Sequence, residues 1–547
     1  MARKTKHMFS TVRQGERQPM TKSFTKKKPS THLTIVGFGQ GAGNVVDEFA
    51  RFRSADGKRS YDTFAVNTNQ SDLTTLTEVP EQNRIWFGQD DLGRDYTGFG
   101  KNAEEGTKRL RRDKSAQKTL DDLINERLGK DEQQTIMFIA CEGGGTGTSV
   151  LNEAVQKFYE AYRAPIPEKA KQMIANARAN FIGQFGEEKG LQLFNQKKPE
   201  LMDKVNYFME TELDKKRLII VITIPTRSDG GDILRQVSNY TSEVWNMAMD
   251  KKYGIGHVVI VDNQHLEDEY NKLNEPKENL WKYINQKTAD IIHEINVGAG
   301  IGDTNMVLDG TDLQSIWFTG QGAMFYSKTA KPVAEVKSNE DIIEMFNATF
   351  KKPYLHGDIN YIESAKEDGE KKADVKMIHH ALLFAVVPDK SKFDGAVFLP
   401  EAKEKLQQTL YTSEKTRVFP GYIEDKDATD VSVYVAYKIE GLPERLEIGL
   451  VKEYEEFQKR RQSVNFSTGK IQTIEGTKED SPFGDLDEWF AEPVAPQTSS
   501  SSNNDLVDTM FDEVAATSSN SSKSVDPTEE QLKALMDGFS IDMFNKK

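Results

Sequence analysis

Twice in this chain an apolar run passes through glycine into a helical pattern: "LTIVGFGQGAGN" at 33–44 and "TIMFIACEGGGTGTS" at 135–149. A strand that feeds a helix through glycine brings bare backbone N–H groups and the positive helix end to one point. That arrangement holds phosphate oxygens. The common phosphate loop ends Gly-Lys-Ser/Thr, so that a lysine meets the charge, and neither segment contains a lysine. Two such loops facing each other can cradle a triphosphate with amides and helix dipoles, a Mg²⁺ ion meeting the remaining charge. The candidate phosphate-binding residues are Gly39, Gln40, Gly41, Gly43 and Asn44 in the first segment. In the second they are Gly143, Gly144, Gly145, Thr146, Gly147 and Thr148. Gly37-x-Gly39-x-x-Ala42 also fits the dinucleotide fingerprint, which calls for an acid after the second strand. Asn67, Thr68 and Asn69 stand there instead. A nicotinamide oxidoreductase is therefore a rival that uses only one of the two loops.

The rest of the first half repeats this grammar. Thr63–Thr68 and "RIWFG" (84–88) read as strands, followed by a loop at 90–100 and a charged helix to about Arg127. "RLIIVITIP" and "HVVIVDN" (257–263) continue the series, and helices are expected at 44–53 and 150–162. Strands alternating with helices predict parallel βαβ units. Residues 165–216 read as a long helical insertion, and 280–300 as one long helix in which Ile284, Ile291, Ile292 and Ile295 keep helical spacing.

Beyond 301 the pattern turns to α+β. "HALLFAVVP", "GAVFLP", "RVFPGYI" and "VSVYVAYKI" look strand-like, and alternating Val431, Val433 and Val435 predict a sheet with one solvated face. Residues 443–462 are expected to form a surface helix.

At 547 residues, two or three domains are expected. No run approaches the ~20 apolar residues of a membrane span, and the lone Cys141 excludes an internal disulfide and predicts a reducing cytoplasm. Packing as a small residue at a strand end, or acting as a reactive thiol, are the two readings of that cysteine. The net charge of −14 is uneven, because residues 1–30 hold nine Lys or Arg and one Glu. This basic arm, 1–31, reads either as a disordered leader or as a contact for nucleic acid. Residues 463–547 form an acidic Ser/Asn-rich tail expected to be disordered. It ends in an amphipathic helix at 527–544, with Asp526 as N-cap and Leu532, Leu535, Met536 and Phe539 on one face. That helix docks a partner or packs back on the body.

These segments carry a specific resemblance. "GGGTGTS" resembles the phosphate-contacting signature loop of the tubulin/FtsZ superfamily; the loop ending Gly43-Asn44 and "VNTN" resemble its first two loops. "TIPTRSDGGD" is similar to the ribose-side loop, placing Pro225 and Asp229 there. "VVIVDNQHL" and "NQKTADIIHEIN" are similar to the segments that face guanine, placing Asn263 and Asn285. An Asn amide matches the donor–acceptor edge of guanine. The resemblance implies a Rossmann-type parallel-sheet GTP-binding domain over 32–279, a central helix, a second α+β domain over 301–442, and GTP/GDP with Mg²⁺ as ligands. In wording it resembles the plasmid- and phage-borne TubZ branch.

It further implies head-to-tail filaments, in which a loop following the central helix completes the neighbour's site. Here that loop is 303–314, with Asp309 and Asp312 as the catalytic acids; read without the resemblance, the pair is a set of loop acids or a helix cap. The implied role is plasmid segregation or phage DNA positioning through a DNA-bound adaptor on the tail. A non-polymerising GTP-binding regulator of the same fold is the alternative. Departures from the pattern are Val307, Ile233, Ser149 and the absence of Asn-Pro after the third strand.

Overall fold

A computed structural model describes residues 26–301, 308–367 and 370–462. The first half runs β1 (Leu33–Phe38), α1 (Gly39–Ala50), β2 (Asp62–Asn67), α2 (Gln70–Thr74) and β3 (Arg84–Trp86). Then come α3 (Ala103–Arg112), α4 (Lys114–Asp122), β4 (Thr135–Cys141) and α5 (Gly145–Tyr162). α6 (Pro165–Phe185), α7 (Glu187–Gln196) and α8 (Lys198–Lys215) fill the expected insertion, and residues 170–208 of it belong to a separate compact unit. β5 (Arg217–Ile224), α9 (Gly231–Met249), β6 (Ile255–Asp262), α10 (Asn263–Asn271) and the long α11 (Leu280–Gly298) complete this half.

The second half contains α12 (Gly310–Phe318), β7 (Ala323–Pro332), α13 (Asn339–Thr349), a hairpin of β8 (Ile362–Glu367) and β9 (Glu370–Val375), and β10 (Ile378–Val387). It closes with α14 (Gly395–Thr409), β11 (Val418–Glu424), β12 (Asp430–Ile439) and α15 (Leu450–Gln462). The basic arm up to residue 25, residues 303–307, the tail and the 527–544 helix lie outside the described residues.

Ten strands form one sheet in the order β11-β10-β12-β7-β6-β5-β4-β1-β2-β3. Its six strands from β3 to β6 are all parallel, with strand order 3-2-1-4-5-6. The reversal falls between β1 and β4, where a doubly wound sheet leaves a crevice at its carboxyl edge. β6 pairs in parallel with β7, so the second half extends the same sheet.

Three expectations are corrected. "GAVFLP" is the start of α14, not a strand. Asp394 accepts from the Ala396 N–H as N-cap, and Phe398, Leu399, Ala402 and Leu406 are buried at helical spacing; a short apolar run does not distinguish strand from helix. β12 is covered on both faces, because one core cluster packs on each side of the sheet there. Val431, Val433 and Val435 pack with α13 and α14, while Tyr434 and Ala436 join the core of α1 and α11. Finally, α1 and α5 start five residues before the expected 44 and 150, so Gly39, Gly41, Gly43, Gly145 and Gly147 lie in first helical turns, while Gly143 and Gly144 form the turn ahead of α5.

Polar anchors fix α11 against β1 and α1. Asn296 accepts from Thr31 N–H and donates to Thr31 O, at 2.9 and 2.8 Å. His293 stacks on Phe52 and bonds Tyr61, and Arg51 pairs with Asp290. On β12, the fully buried Lys438 donates to four carbonyls: Gly256, Trp317, Thr319 and Gly320, at 2.6 to 3.1 Å. Two of them close the carboxyl end of α12, where a cation meets the helix dipole. Replacing Lys438 by Met would leave these carbonyls without their shared donor. Urea unfolding should show a loss of about 3 kcal/mol; a loss under about 1 kcal/mol would mean that water takes over the ammonium's role.

Candidate functional site

The carboxyl ends of β1 and β4 lie side by side, Phe38 beside Ala140. β1 runs at once into α1, and β4 reaches α5 through Glu142, Gly143 and Gly144; neither helix has a side-chain cap or an acid in its first turn. Helix starts leave four N–H groups without intrahelical partners and carry positive partial charge. Two such starts converge here. Gly39 has φ +82°, and a Cβ on it would lie 2.9 Å from the Gly147 amide nitrogen. A Cβ on Gly147 would in turn meet the carbonyl oxygens of Cys141 and Phe38 at 2.9 and 3.0 Å. Glycine is required on both sides because the two backbones touch.

Around this contact lies a cleft of about 260 Å³. Of the expected phosphate residues, Gly39, Gln40, Gly41, Gly144, Gly145, Thr146 and Gly147 line it, as does Asn67. The others support it from outside. Thr68 is buried with its hydroxyl 2.5 Å from that of Thr146. The Thr148 hydroxyl accepts from Gly143 N–H at 3.2 Å and so shapes the turn. Gly43 is buried beside Leu76, and Asn44 sits half-buried in the next turn of α1. Cys141 closes the floor with a thiol that burial pushes up to about 11, which fits the packing reading.

The guanine and ribose candidates follow the neighbouring strands. Asn263 opens α10 after β6, and its side-chain oxygen is buried with no hydrogen-bond partner, an acceptor facing no protein donor. Asn285 lies half-buried near the start of α11. After β5, Asp229 and Thr226 form a reciprocal capping box, and the Pro225 carbonyl accepts from Arg445. Arg445 also pairs with Asp262 and Glu453, tying the segment before α15 to the ends of β5 and β6.

Reading the sequence missed part of the cleft. Asp72, the only carboxylate on the lining, accepts from the side-chain amides of Asn67 and Asn69, both at 3.1 Å. The β3–α3 connection contributes Gly98, Phe99, Gly100 and Lys101, and Lys101 pairs with Asp229 at 3.4 Å. Its signal in the sequence was Gly-Phe-Gly-Lys ahead of a helix start. Asp309 and Asp312 are far from this cleft. Asp309 caps α12, accepting from Asp312 N–H at 2.9 Å, while Asp312 accepts from Asp309 N–H at 3.2 Å. Gly300 and Gly310 pack against Ser30, just ahead of β1; the pair thus lies at the amino edge of the sheet, opposite the cleft.

No three potential metal-ligating side chains cluster among the described residues. Nor is any helix among them long and apolar enough to cross a membrane. A crevice walled by two uncapped helix starts at the switch point defines a doubly wound α/β protein whose carboxyl edge presents unpartnered N–H groups.

No family model matches the chain. Among curated proteins, the tubulin-like CetZ of Pyrococcus abyssi is 30% identical over 130 residues, 23% of this chain and 32% of that protein. CetZ5 of Haloferax volcanii is 29% identical over 136 residues, 24% and 32% respectively. The match thus spans about a third of the length of these relatives. Solved structures resemble far more of it. TubZ of Bacillus thuringiensis serovar israelensis, in GDP-form protofilaments, aligns with a TM-score of 0.55 at 14% identity, over 80% of this chain and 93% of TubZ. CetZ2 of Haloferax volcanii, a GTPγS-bound protofilament, aligns at 0.52 and 14%, over 79% and 100%. The chain therefore has the fold of the tubulin-like proteins TubZ and CetZ2.

One cleft neighbour carries a pH signature. Glu142, between β4 and the glycine turn, is buried, and burial, opposed only in part by the Thr148 hydroxyl, pushes its carboxyl up to about 8. A carboxyl raised in the folded state contributes stability below its unfolded value of about 4.3 and loses it as pH rises through 8. Glu142→Gln should match the native chain near pH 4.5 and exceed it at pH 8.5 by on the order of 3 kcal/mol in urea unfolding. An equal difference at both pH values would refute the burial argument.

Proposed function

We propose that this chain is a GTP-dependent filament-forming GTPase. GTP lies along the carboxyl edge, with its phosphates between the starts of α1 and α5, its ribose beside Asp229, and its base between Asn263 and Asn285. Magnesium in such sites keeps several waters and takes one carboxylate besides the phosphates; Asp72 fits that part. Magnesium would neutralise charge on the phosphate oxygens.

The observation that carries this reading is the separation of the cleft from Asp309 and Asp312. α11 has 19 residues, about 28 Å at 1.5 Å per residue, and leads from the cleft side to the amino edge. One molecule therefore cannot bring the acids to its own nucleotide, whereas a molecule stacked head to tail can. Such a heterologous contact propagates into an open filament. The incoming carboxylates orient the attacking water, which is positioning chemistry with no covalent intermediate. GTP binding favours the contact and hydrolysis weakens it. The TubZ and CetZ2 structures are themselves described as protofilaments, which supports the stacking. We extend the reading to the cytoplasm and to movement of plasmid or phage DNA through an adaptor bound by the acidic tail.

Right-angle light scattering with GTP tests it. The native chain should scatter above a critical concentration, with turnover per mole rising as the protein is concentrated. Asp309→Ser, which keeps an N-cap but removes the carboxylate, should polymerise and persist several-fold longer. No GTP-dependent scattering at any concentration would reject the filament. Concentration-independent turnover would favour the non-polymerising regulator.

A further inference from the structure

The ribose-side and base-side candidates sit on two separate loops, 225–229 after β5 and 262–264 after β6. A closed ring of hydrogen bonds holds these loops in register, and a third segment, the start of α15, completes it. Arg445 is its centre. One guanidinium nitrogen donates to the Pro225 carbonyl at 2.8 Å and to Asp262 at 2.6 Å. The other two nitrogens donate to the two Glu453 oxygens, both at 3.0 Å. Glu453 also accepts from the Arg227 side chain at 2.8 Å, and the Arg227 N–H donates to the Gln264 side chain at 2.8 Å. The Gln264 N–H closes the ring, donating at 3.0 Å to the Asp262 oxygen that also receives Arg445.

The ring lies largely out of water. The Arg445 and Asp262 side chains are 9% and 3% exposed, and Leu446 and Leu450 join the buried core of β5, β6 and α9, which seats the third segment. A buried carboxylate stripped of its cation is costly enough to reshape the turn that holds it. Asn263 stands inside that turn. Both of its sequence neighbours are ring members, while its own side-chain oxygen is buried without a hydrogen-bond partner. The Gln264 amide is fixed at its far end as well, donating to Asp268 at 2.9 Å. Asn263 is thus gripped through its backbone, and its acceptor stays open. Fastening α15 would need a hold on one loop; this ring crosses both and joins them to each other through Arg227 and Gln264.

We propose that Arg445 is a positioning residue for the base: through the ring it fixes the ribose-side loop against the base-side loop and so aims the open Asn263 oxygen at the donor edge of a bound guanine. This deepens the nucleotide reading and rests on it. Arg445 acts through Asp262 and Gln264, not by touching the nucleotide. Arginine suits the place because its planar fork reaches a carbonyl and two carboxylates at once, whereas a lysine ammonium brings the charge without the fork.

Calorimetry with GDP on the full chain tests this. Arg445→Met should weaken GDP by on the order of tenfold. In an Asn263→Ala background the same change should cost less than about twofold, since the group that it aims is gone. Arg445→Lys should recover part of the loss. Gln264→Ala opens the ring without stranding a charge; it should weaken GDP about threefold, again only when Asn263 is present, with an unchanged urea midpoint. That variant decides the matter if Arg445→Met does not fold. Losses of equal size with and without Asn263, or undiminished GDP affinity when the ring is opened, would overturn this inference and leave the nucleotide site standing. No GDP binding by the native chain would take both down together.

Discussion

The backbone contact between Gly39 and Gly147 is the point on which the rest of the site depends. It exists because β1 and β4 are neighbours at the sheet's reversal and each feeds into a helix. Any side chain at either position would push α1 and α5 apart, and with them two sets of unpartnered N–H groups. Convergence concentrates positive potential without a fixed cation between the loops. The cleft therefore discriminates by geometry: an anion fits where both helix starts point.

From that contact the remaining architecture follows as spacing. β5 and β6 carry the ribose-side and base-side candidates along the same edge, since all parallel strands end there. α11 spans the depth of the sheet and is fastened along its length by Asp290, His293 and Asn296. It ties the cleft edge to the opposite one, where Asp309 and Asp312 hold the start of α12. Such a helix transmits position well, because these discrete polar pairs fix its register on the apolar face formed by Ile284, Ile291, Ile292 and Ile295. β7 then continues the sheet into the second half, and Lys438 gathers carbonyls from β6 and α12 around β12. The two halves share both strands and a buried polar hub.

The fold class was legible because doubly wound sheets leave a strong local record. β1 and β4 must be apolar on both faces, Ile35 and Met137 on one and Val36 and Phe138 on the other, and glycine must follow. The glycine-loop residues Gly39, Gly41, Gly144, Gly145 and Gly147 could be read for the same reason. What failed was local ambiguity. "GAVFLP" is apolar enough for a strand, and only the Asp394 cap makes it a helix. The valines of β12 alternate, yet Tyr434, Ala436 and Tyr437 between and beyond them are buried too. Lys101 and Asp72 were missed because both lie outside the glycine segments after β1 and β4; they reach the cleft only through the packing of α2 and α3. Thr68, Gly143 and Thr148 lie along the edge, but their polar groups are engaged within the protein, Thr68 with Thr146 and Gly143 with Thr148, a pairing that spacing does not reveal.

By itself the sequence determined the alternation of strand and helix, the glycine starts of α1 and α5, and the acid pair beyond the long helix. Each is written in contiguous residues whose periodicity or backbone freedom has a local cause. Tertiary structure decided which loops meet, which side chains face the cleft, and that the acid pair lies at the opposite edge. Those are properties of strand order and helix length in three dimensions, and residues as distant as 101 and 229, or 30 and 296, share a site only once the sheet has closed between them.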